Sequence, residues 1–246
     1  MSHNKVTIKE GAFIISDAHY SSLRPQLLSI IKDIHSKELK PTQLILMGDI
    51  FDALFGGVKY TQELNAQSIE LLNEISLEIE VIYLEGNHDF NLKHIFPNFE
   101  IYPISLQPVE AVYKDKKIYL AHGDFDGGFA YLLYTSIIRN PLILFFLKTI
   151  DNFTAHAILK KLDTYLSKKD DCKNLKTFKN FVSTRLGSSF ECDYFIEGHF
   201  HQNKQFKLKN FEYINLGAFA CYQRYFIVKS SKDKELLEEK TFSKGM

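Results

Sequence analysis

Five short blocks of Asp, His and Asn carry the chemistry of this chain. They are Ser16-Asp17-Ala18-His19, Gly48-Asp49-Ile50-Phe51-Asp52, Gly86-Asn87-His88-Asp89, His122-Gly123-Asp124 and Gly198-His199-Phe200-His201. Carboxylates, imidazoles and a neutral amide are hard to borderline metal ligands. No cysteine lies in any block, which disfavours thiolate-held metals and iron–sulfur clusters. Asp17 and His19 are two residues apart, as are His199 and His201. In extended backbone such residues point the same way, so each pair can face one ion. Asp49 follows a glycine and is placed to bridge two ions; Asn87 offers a carbonyl oxygen and His122 another imidazole. With Asp49 shared, Asp17, His19, Asp49, Asn87, His122, His199 and His201 supply ligands for two divalent cations. Two metals about 3.5–4 Å apart activate water and clamp both oxygens of an in-line displacement, so the constellation implies a phosphoester substrate. One D-x-H block is common by chance; five in order, each after an apolar run, are not.

Ligands so far apart in the chain need a rigid frame to bring them together. The apolar runs 12–15, 44–47, 81–84, 118–121 and 194–196 read as strands, each ending at a block, and 211–216 and 225–228 read as late strands. Between them, Leu27, Leu28, Ile31 and Ile34 recur at helical spacing behind a candidate N-cap at Ser21-Ser22. Ile69, Leu72 and Ile75 mark a second helix over 64–75. Strands apolar on both faces, alternating with helices, predict an α/β protein with buried sheets. The runs 109–113 and 116–120 predict a hairpin turning at Lys114-Asp115, so the sheet is expected to be mixed.

The segment 129–186 breaks the rhythm, with a helical signal and no clear strand. Asn140-Pro141 reads as an N-cap followed by proline in the first turn. Leu142, Phe145, Phe146, Ile150, Phe153 and Ala157 then recur at helical spacing. This is expected to be a helical cap inserted into a single domain spanning 1–246. Phe129, Tyr131, Leu132, Leu133, Tyr134, Ile137, Ile138, Ile143, Leu144 and Leu147 make it apolar around much of its surface, which demands cover from another helix or from a lipid chain. Lys160, Lys161, Lys168, Lys169, Lys173, Lys176, Lys179 and Arg185 follow, suited to phosphates or to an anionic membrane surface.

Composition narrows the class. Of 246 residues, 45% are hydrophobic and 24% charged, and the formal net charge is zero. That balance supports a full core and argues against a nucleic-acid partner, which calls for a basic footprint. Disorder is expected only in the Lys/Glu-rich tail after Lys229. Three cysteines spaced far apart suggest a reducing compartment rather than a disulfide framework. The N-terminus lacks an apolar h-region, and Arg139, Asn140, Pro141 and Lys148 interrupt the longest apolar stretch, 129–150. Neither a secretory signal nor a membrane span is expected. The expected location is cytoplasmic, with no obligate protein partner.

The blocks resemble the signature of the calcineurin-like metallophosphoesterase superfamily: D-x-H, G-D-x-x-D, G-N-H-D/E, a lone His and G-H-x-H. The resemblance covers most of the chain and implies a four-layer α/β/β/α sandwich of mixed sheets. It implies that Asp17, His19, Asp49 and His201 hold one metal, and Asp49, Asn87, His122 and His199 the other. Mn²⁺ suits such mixed ligation, and Zn²⁺ or iron also fits. It implies that His88 is catalytic and faces the substrate phosphate, and that Asp89 orients it. Asp52 and Asp124 are each readable as an acceptor for a ligand histidine or as a turn cap. The layout is also similar to the UDP-2,3-diacylglucosamine diphosphatase family of lipid A biosynthesis, which shares the chain length, the form of Gly48 to Asp52, an aromatic after the third block (here Phe90) and a helical cap in this interval. That likeness implies hydrolysis at the α-phosphate of a UDP-linked diacylated sugar, with Asn87, His88 and Arg139 as substrate contacts and peripheral attachment to the inner membrane. One position departs: many members carry Arg where this chain has His88. A soluble phosphatase or phosphodiesterase acting on nucleotides or phosphoproteins is the alternative.

Overall fold

The computed structural model describes residues 5–154, 156–166, 172–187, 189–229 and 236–243. His3, Lys168 and Lys169 lie outside them, as do the side chains of Phe129, Leu132, Tyr134 and Leu147. Two six-stranded mixed sheets form the frame. One has the spatial order β1 (Val6–Thr7), β8 (Val109–Tyr113), β9 (Lys116–Ala121), β10 (Tyr194–Glu197), β12 (Glu212–Asn215) and β11 (Lys204–Lys207). The other runs β14 (Leu237–Thr241), β13 (Arg224–Val228), β2 (Phe13–Ile15), β3 (Gln43–Leu46), β5 (Glu80–Leu84) and β7 (Glu100–Tyr102). A parallel pair, β4 (Leu54–Phe55) and β6 (Asp89–Phe90), stands apart.

Strand periodicity builds the layers. Along β3 and the residue after it, Leu44 and Leu46 join a cluster with Leu27, Ile30, Ile31, Ile34, Leu72 and Ile75, whereas Ile45 and Met47 join Ile14, Ile82, Ile118, Leu120 and Ile196. Successive side chains point to opposite faces, so one face packs on helices and the other on the second sheet. The helices on the first face are α1 (Gln26–His35) and α3 (Ala66–Ile75). On the far side Phe178, Val182 and Leu186 of α7 (Phe178–Leu186) pack on Phe195 and Tyr213. The result is the four-layer arrangement of two mixed sheets with helices outside them.

Local chemistry moved several boundaries. The helix expected from Ser21-Ser22 starts at Gln26, because Ser21 and Arg24 exchange backbone hydrogen bonds in a tight turn and Pro25 has no N–H to give. The helix expected over 64–75 forms as α3 and is preceded by a separate helix, α2 (Lys59–Leu64). Asn65 divides them: its Nδ2 donates to Thr61 O at 2.7 Å and to Ala53 O at 3.1 Å, in competition with helix continuation. The 109–120 hairpin forms, with Tyr113 paired to Lys116 around Lys114-Asp115. The expected disorder after Lys229 does not extend to Leu237–Thr241, which pairs antiparallel with β13; residues 230–235 and 244–246 lie outside the described ones. The expectation of unpaired cysteines is also corrected. The chain brings Cys172 and Cys221 together as a disulfide across 49 residues, and Cys192 is free.

Between β9 and β10 the chain forms four helices: α4 (Phe129–Arg139), α5 (Pro141–Phe153), α6 (Ala157–Leu166) and α7. Asn140 caps α5, its Oδ1 accepting from Leu142 N at 2.9 Å. The last helix, α8 (Phe219–Tyr222), is a single turn that donates backbone N–H groups to Ser16 O and Asp17 O.

Ile45 has no exposed surface and lies between the sheets. Ile45→Ala is expected to lower unfolding stability by about 2–5 kcal/mol with an unchanged denaturant slope, measured by urea titration.

Candidate metal centre

The register of the parallel strands gathers the blocks. Ile15 pairs with Leu46, and Leu46 with Tyr83, so the loops after β2, β3 and β5 leave the sheet side by side. Ala121 pairs with Glu197, which aligns His122 with the loop carrying His199 and His201. All five blocks therefore sit at the carboxyl ends of strands, where parallel sheets place their ligands.

The ligating atoms of Asp17, His19 and His201 lie within 4.8 Å of one another, and so do those of Asp49, His122 and His199. His201 Nε2 is 3.0 Å from Asp17 Oδ1. His122 Nε2 is 3.3 Å from Asp49 Oδ2 and 3.3 Å from His199 Nδ1. The structure thus brings each triad together, and a third group, His19, Asp52 and His88, lies within the same span. The extended geometry expected for D-x-H and H-x-H is not found, however. The strands end before the blocks, and Asp17 (φ 50°), His19 (45°), Asp49 (50°), His199 (62°) and His201 (57°) all adopt left-handed backbone. Such conformations cost of order 1–3 kcal/mol each and cluster at functional sites. Two glycines permit the crowding. A Cβ on Gly86 would stand 2.2 Å from Asp49 Oδ1, and one on Gly198 would stand 2.1 Å from Ser16 Oγ.

The outer partners orient each ligand. His19 Nδ1 meets Asp52 Oδ1 at 3.1 Å, which leaves His19 Nε2 buried with no hydrogen-bond partner. Asp52 is thus the acceptor for a ligand histidine, one of the two readings the sequence left open. His122 Nδ1 lies 2.9 Å from Met47 O, so it donates there and turns its Nε2 lone pair toward Asp49 and His199. Gln107 Oε1 accepts from His122 N. Asp124 takes neither role expected for it: its Oδ2 accepts from Tyr131 OH of α4 at 2.7 Å.

Asp89 does not orient His88. Its carboxylate accepts from the backbone N–H groups of Asp49, Ile50, Phe51 and Gly86 and from Tyr83 OH, and it has no exposed surface. Burial, then repulsion from Asp49, pushes its pKa up to about 7. His88 Nδ1 is instead held by Asp52 O at 2.9 Å, and its Nε2 lies 4.0 Å from Asp49 Oδ2. Arg139 reaches the third block: its Nη2 donates to Gly86 O at 2.8 Å, while its Nε and Nη1 are buried with no hydrogen-bond partner. Tyr83 and Gln107 escaped the sequence reading because their contacts arise only when distant strands pair.

These side chains fit a pair of cations. Asn87 Oδ1 and His19 Nε2 are buried acceptors with no donor. His122 Nε2, His199 Nδ1 and Asp49 Oδ2 face one another as lone pairs, an arrangement that needs a proton or a metal between them. Burial disfavours the charged form of His122, but Asp49, Asp124 and Asp17 outweigh it and hold its pKa well above the ordinary histidine value. His199, desolvated and repelled by His122, is pushed down to about 4 and stays neutral. Burial works against the charge on Asp17 as well, yet His201 and His122 hold its pKa at about 2. Bound here, divalent cations would polarise a phosphoryl oxygen and lower the pKa of an attacking water.

A family model described as calcineurin-like phosphoesterase matches residues 12–203. The chain belongs to the calcineurin-like phosphoesterase family. Two curated relatives are named UDP-2,3-diacylglucosamine hydrolase, from Stutzerimonas stutzeri (strain A1501) and Pseudomonas fluorescens (strain Pf0-1). The first is 28% identical over 156 residues, covering 61% of this chain and 63% of that protein. The second is 28% identical over 153 residues, covering 61% of each. The match thus spans less than two thirds of either relative. Among solved structures, Yfce, a phosphoesterase from E. coli, is similar in fold, with a TM-score of 0.50 at 14% identity over 94% of this chain and 98% of that one.

Because His122 carries a proton in the metal-free site, loading with Mn²⁺ at pH 7 is expected to release it. Affinity should therefore rise with pH through the raised pKa of His122 and level off above it. Calorimetric titration in two buffers of different ionisation enthalpy reads the released protons directly. Asp49→Ala is expected to lose at least one bound metal and all hydrolytic activity, as measured by elemental analysis and an aryl phosphodiester assay.

Proposed function

We propose that this phosphoesterase cleaves the diphosphate of UDP-2,3-diacylglucosamine at the α-phosphate, giving UMP and 2,3-diacylglucosamine 1-phosphate. The observation that carries the reading is the cap beside the metal centre. Along α5, Leu142, Phe145, Phe146 and Phe153 are 70%, 61%, 63% and 88% exposed. A contiguous apolar face of this kind on a soluble fold marks a lipid or protein contact. A substrate with two acyl chains and an anionic head supplies the matching chemistry. The names of the two bacterial relatives support the same substrate.

The chain's own groups have definite tasks in this reaction. Asp17, His19, His201 and Asp49 would hold one cation, and Asp49, Asn87, His122 and His199 the other, with Mn²⁺ the proposed metal. The backbone carbonyl of Asp52 fixes the ring of His88 through Nδ1. In the imidazolium form, His88 Nε2 would donate to a phosphoryl oxygen or to the leaving oxygen. Arg139 presents two unpartnered N–H groups beside Gly86, suited to a phosphate or the uracil. Among the described residues no helix is long and apolar enough to cross a membrane. We place the enzyme peripherally on the cytoplasmic face of the inner membrane, its cap toward the lipid.

Two observations favour the alternative of a soluble phosphodiesterase. His88 stands where many diphosphatases of this type carry Arg. Part of the cap also packs inward, with Leu144 buried against Val58 and Phe90.

The Mn²⁺-loaded protein is expected to release UMP from UDP-2,3-diacylglucosamine in mixed micelles and to act weakly on a soluble nucleotide phosphodiester. Activity on the soluble ester alone would retain the metal chemistry and discard the lipid substrate. Phe145→Asp is expected to reduce turnover of the lipid substrate at least about tenfold, while the soluble ester is spared. Equal loss on both would make Phe145 merely structural.

A further inference from the structure

Arg185, near the end of α7, was legible in the sequence only as one of a run of basic residues. Its side chain is 12% exposed and reaches both loops that carry the second pair of imidazoles. Its Nη2 forms a short ion pair with Glu197 Oε2, its Nη1 donates to Gly123 O at 3.3 Å, and its Nε lies 3.1 Å from Asp126 Oδ2. The guanidinium also sits over the rings of Phe200 at 4.9 Å, Phe125 at 5.6 Å and Phe181 at 5.7 Å. Each anchor is close to a ligand in the chain. Gly123 follows His122; Glu197 is two residues before His199; Phe200 lies between His199 and His201.

The anchors are themselves fixed. Glu197 has no exposed surface, and its second oxygen accepts from Tyr213 OH. Asn215 Nδ2 donates to the carbonyls of Glu197 and Gly198, and Gly198 N donates to His122 O at 2.8 Å. One planar cation thus closes a network whose other members are strands and loops of the sandwich. Only arginine can do this, because its rigid fork bonds several acceptors at once while its faces stack on aromatic rings.

We propose that Arg185 is a positioning residue for the second metal, setting the separation of His122 and His199 by clamping Gly123, Glu197 and Phe200 from the cap. The proposal rests on the two-metal reading of the site. It makes metal affinity depend on a side chain that touches no ligand, and it ties the last cap helix to the metal centre. Arg185 contacts none of Asp17, His19 or Asp49 and reaches the first site only through Phe200, next to His201, so its loss acts mainly on the second site. Partners of this kind commonly change metal affinity about 10–100-fold.

The test is a Mn²⁺ titration of the metal-free full chain by calorimetry, with electron paramagnetic resonance to tell a coupled pair from a lone ion. The native chain is measured first; if it binds no Mn²⁺, the two-metal reading fails and this proposal falls with it. In the double variant Arg185→Gln/Glu197→Gln no buried carboxylate is left unpaired. It is expected to bind one Mn²⁺ with native affinity and the second about 10–100-fold more weakly, with the coupled signal lost at low Mn²⁺. Its activity on an aryl phosphodiester should recover as Mn²⁺ is raised, which the loss of a group acting on substrate would not allow. Arg185→Lys keeps the charge opposite Glu197 and guards against misfolding of the double variant. It should weaken the second Mn²⁺ by a smaller factor. Native affinity at both sites in a folded variant, or equal weakening of both, overturns the proposal.

Discussion

The carboxylate of Asp89 holds the site together. Five donors converge on it, four from the backbone of the loops after β3 and β5 and one from Tyr83 in the core. Those loops carry Asp49, Asn87 and His88. A buried carboxylate is expensive unless its lone pairs are filled, and here the filling groups are the N–H groups that would otherwise be orphaned at the strand ends. Solving the two desolvation problems together brings the second and third blocks to a fixed separation. Asp49 in turn accepts from His88 N through Oδ1 and turns Oδ2 to His122. The chemistry of the centre is thus built outward from a residue that touches neither metal nor substrate.

The same residue marks how far the sequence could be read. Continuous apolar runs ending in Asp, His or Asn placed the strands and the blocks that meet, and apolar residues at helical spacing placed the helical interval, because both follow from burial patterns local to each run. The role of Asp89 was misassigned because adjacency in the chain does not make two side chains meet: successive side chains of extended backbone point to opposite faces. His88 turns to Asp52 O, whereas Asp89 turns to the backbone of the loop after β3 and to Tyr83. Asn65 and Pro25 set helix ends through local side-chain and backbone contacts that apolar periodicity does not register. The Cys172–Cys221 pair depends on which distant thiol comes within reach once the sheets have formed. Tyr83, Gln107 and Arg185 carry no motif at all, and only the assembled layers give them partners.

The cap is fastened to the sandwich by polar and aromatic contacts around the site, not by one continuous core. Tyr131 bonds Asp124, Arg139 bonds Gly86, Asn91 Nδ2 donates to Arg139 O, and the rings of Tyr60 and His156 stack at 4.0 Å. Leu144 adds a small apolar contact with Val58 and Phe90. Directional contacts of this kind fix where the cap sits while leaving much of the apolar surface of α5 uncovered.

The left-handed backbone at five of the candidate ligands bears on how this fold drifts under mutation. A residue held there by neighbouring contacts costs conformational energy that a glycine would not. Clustering acceptors against one another carries a further electrostatic penalty that a proton or a bound cation relieves. Replacing a ligand can therefore relax the frame even as it removes the chemistry, so selection on stability and selection on catalysis pull these positions in opposite directions. A lineage released from the need to hydrolyse has a downhill route to a stiffer, inert sandwich that keeps its surface.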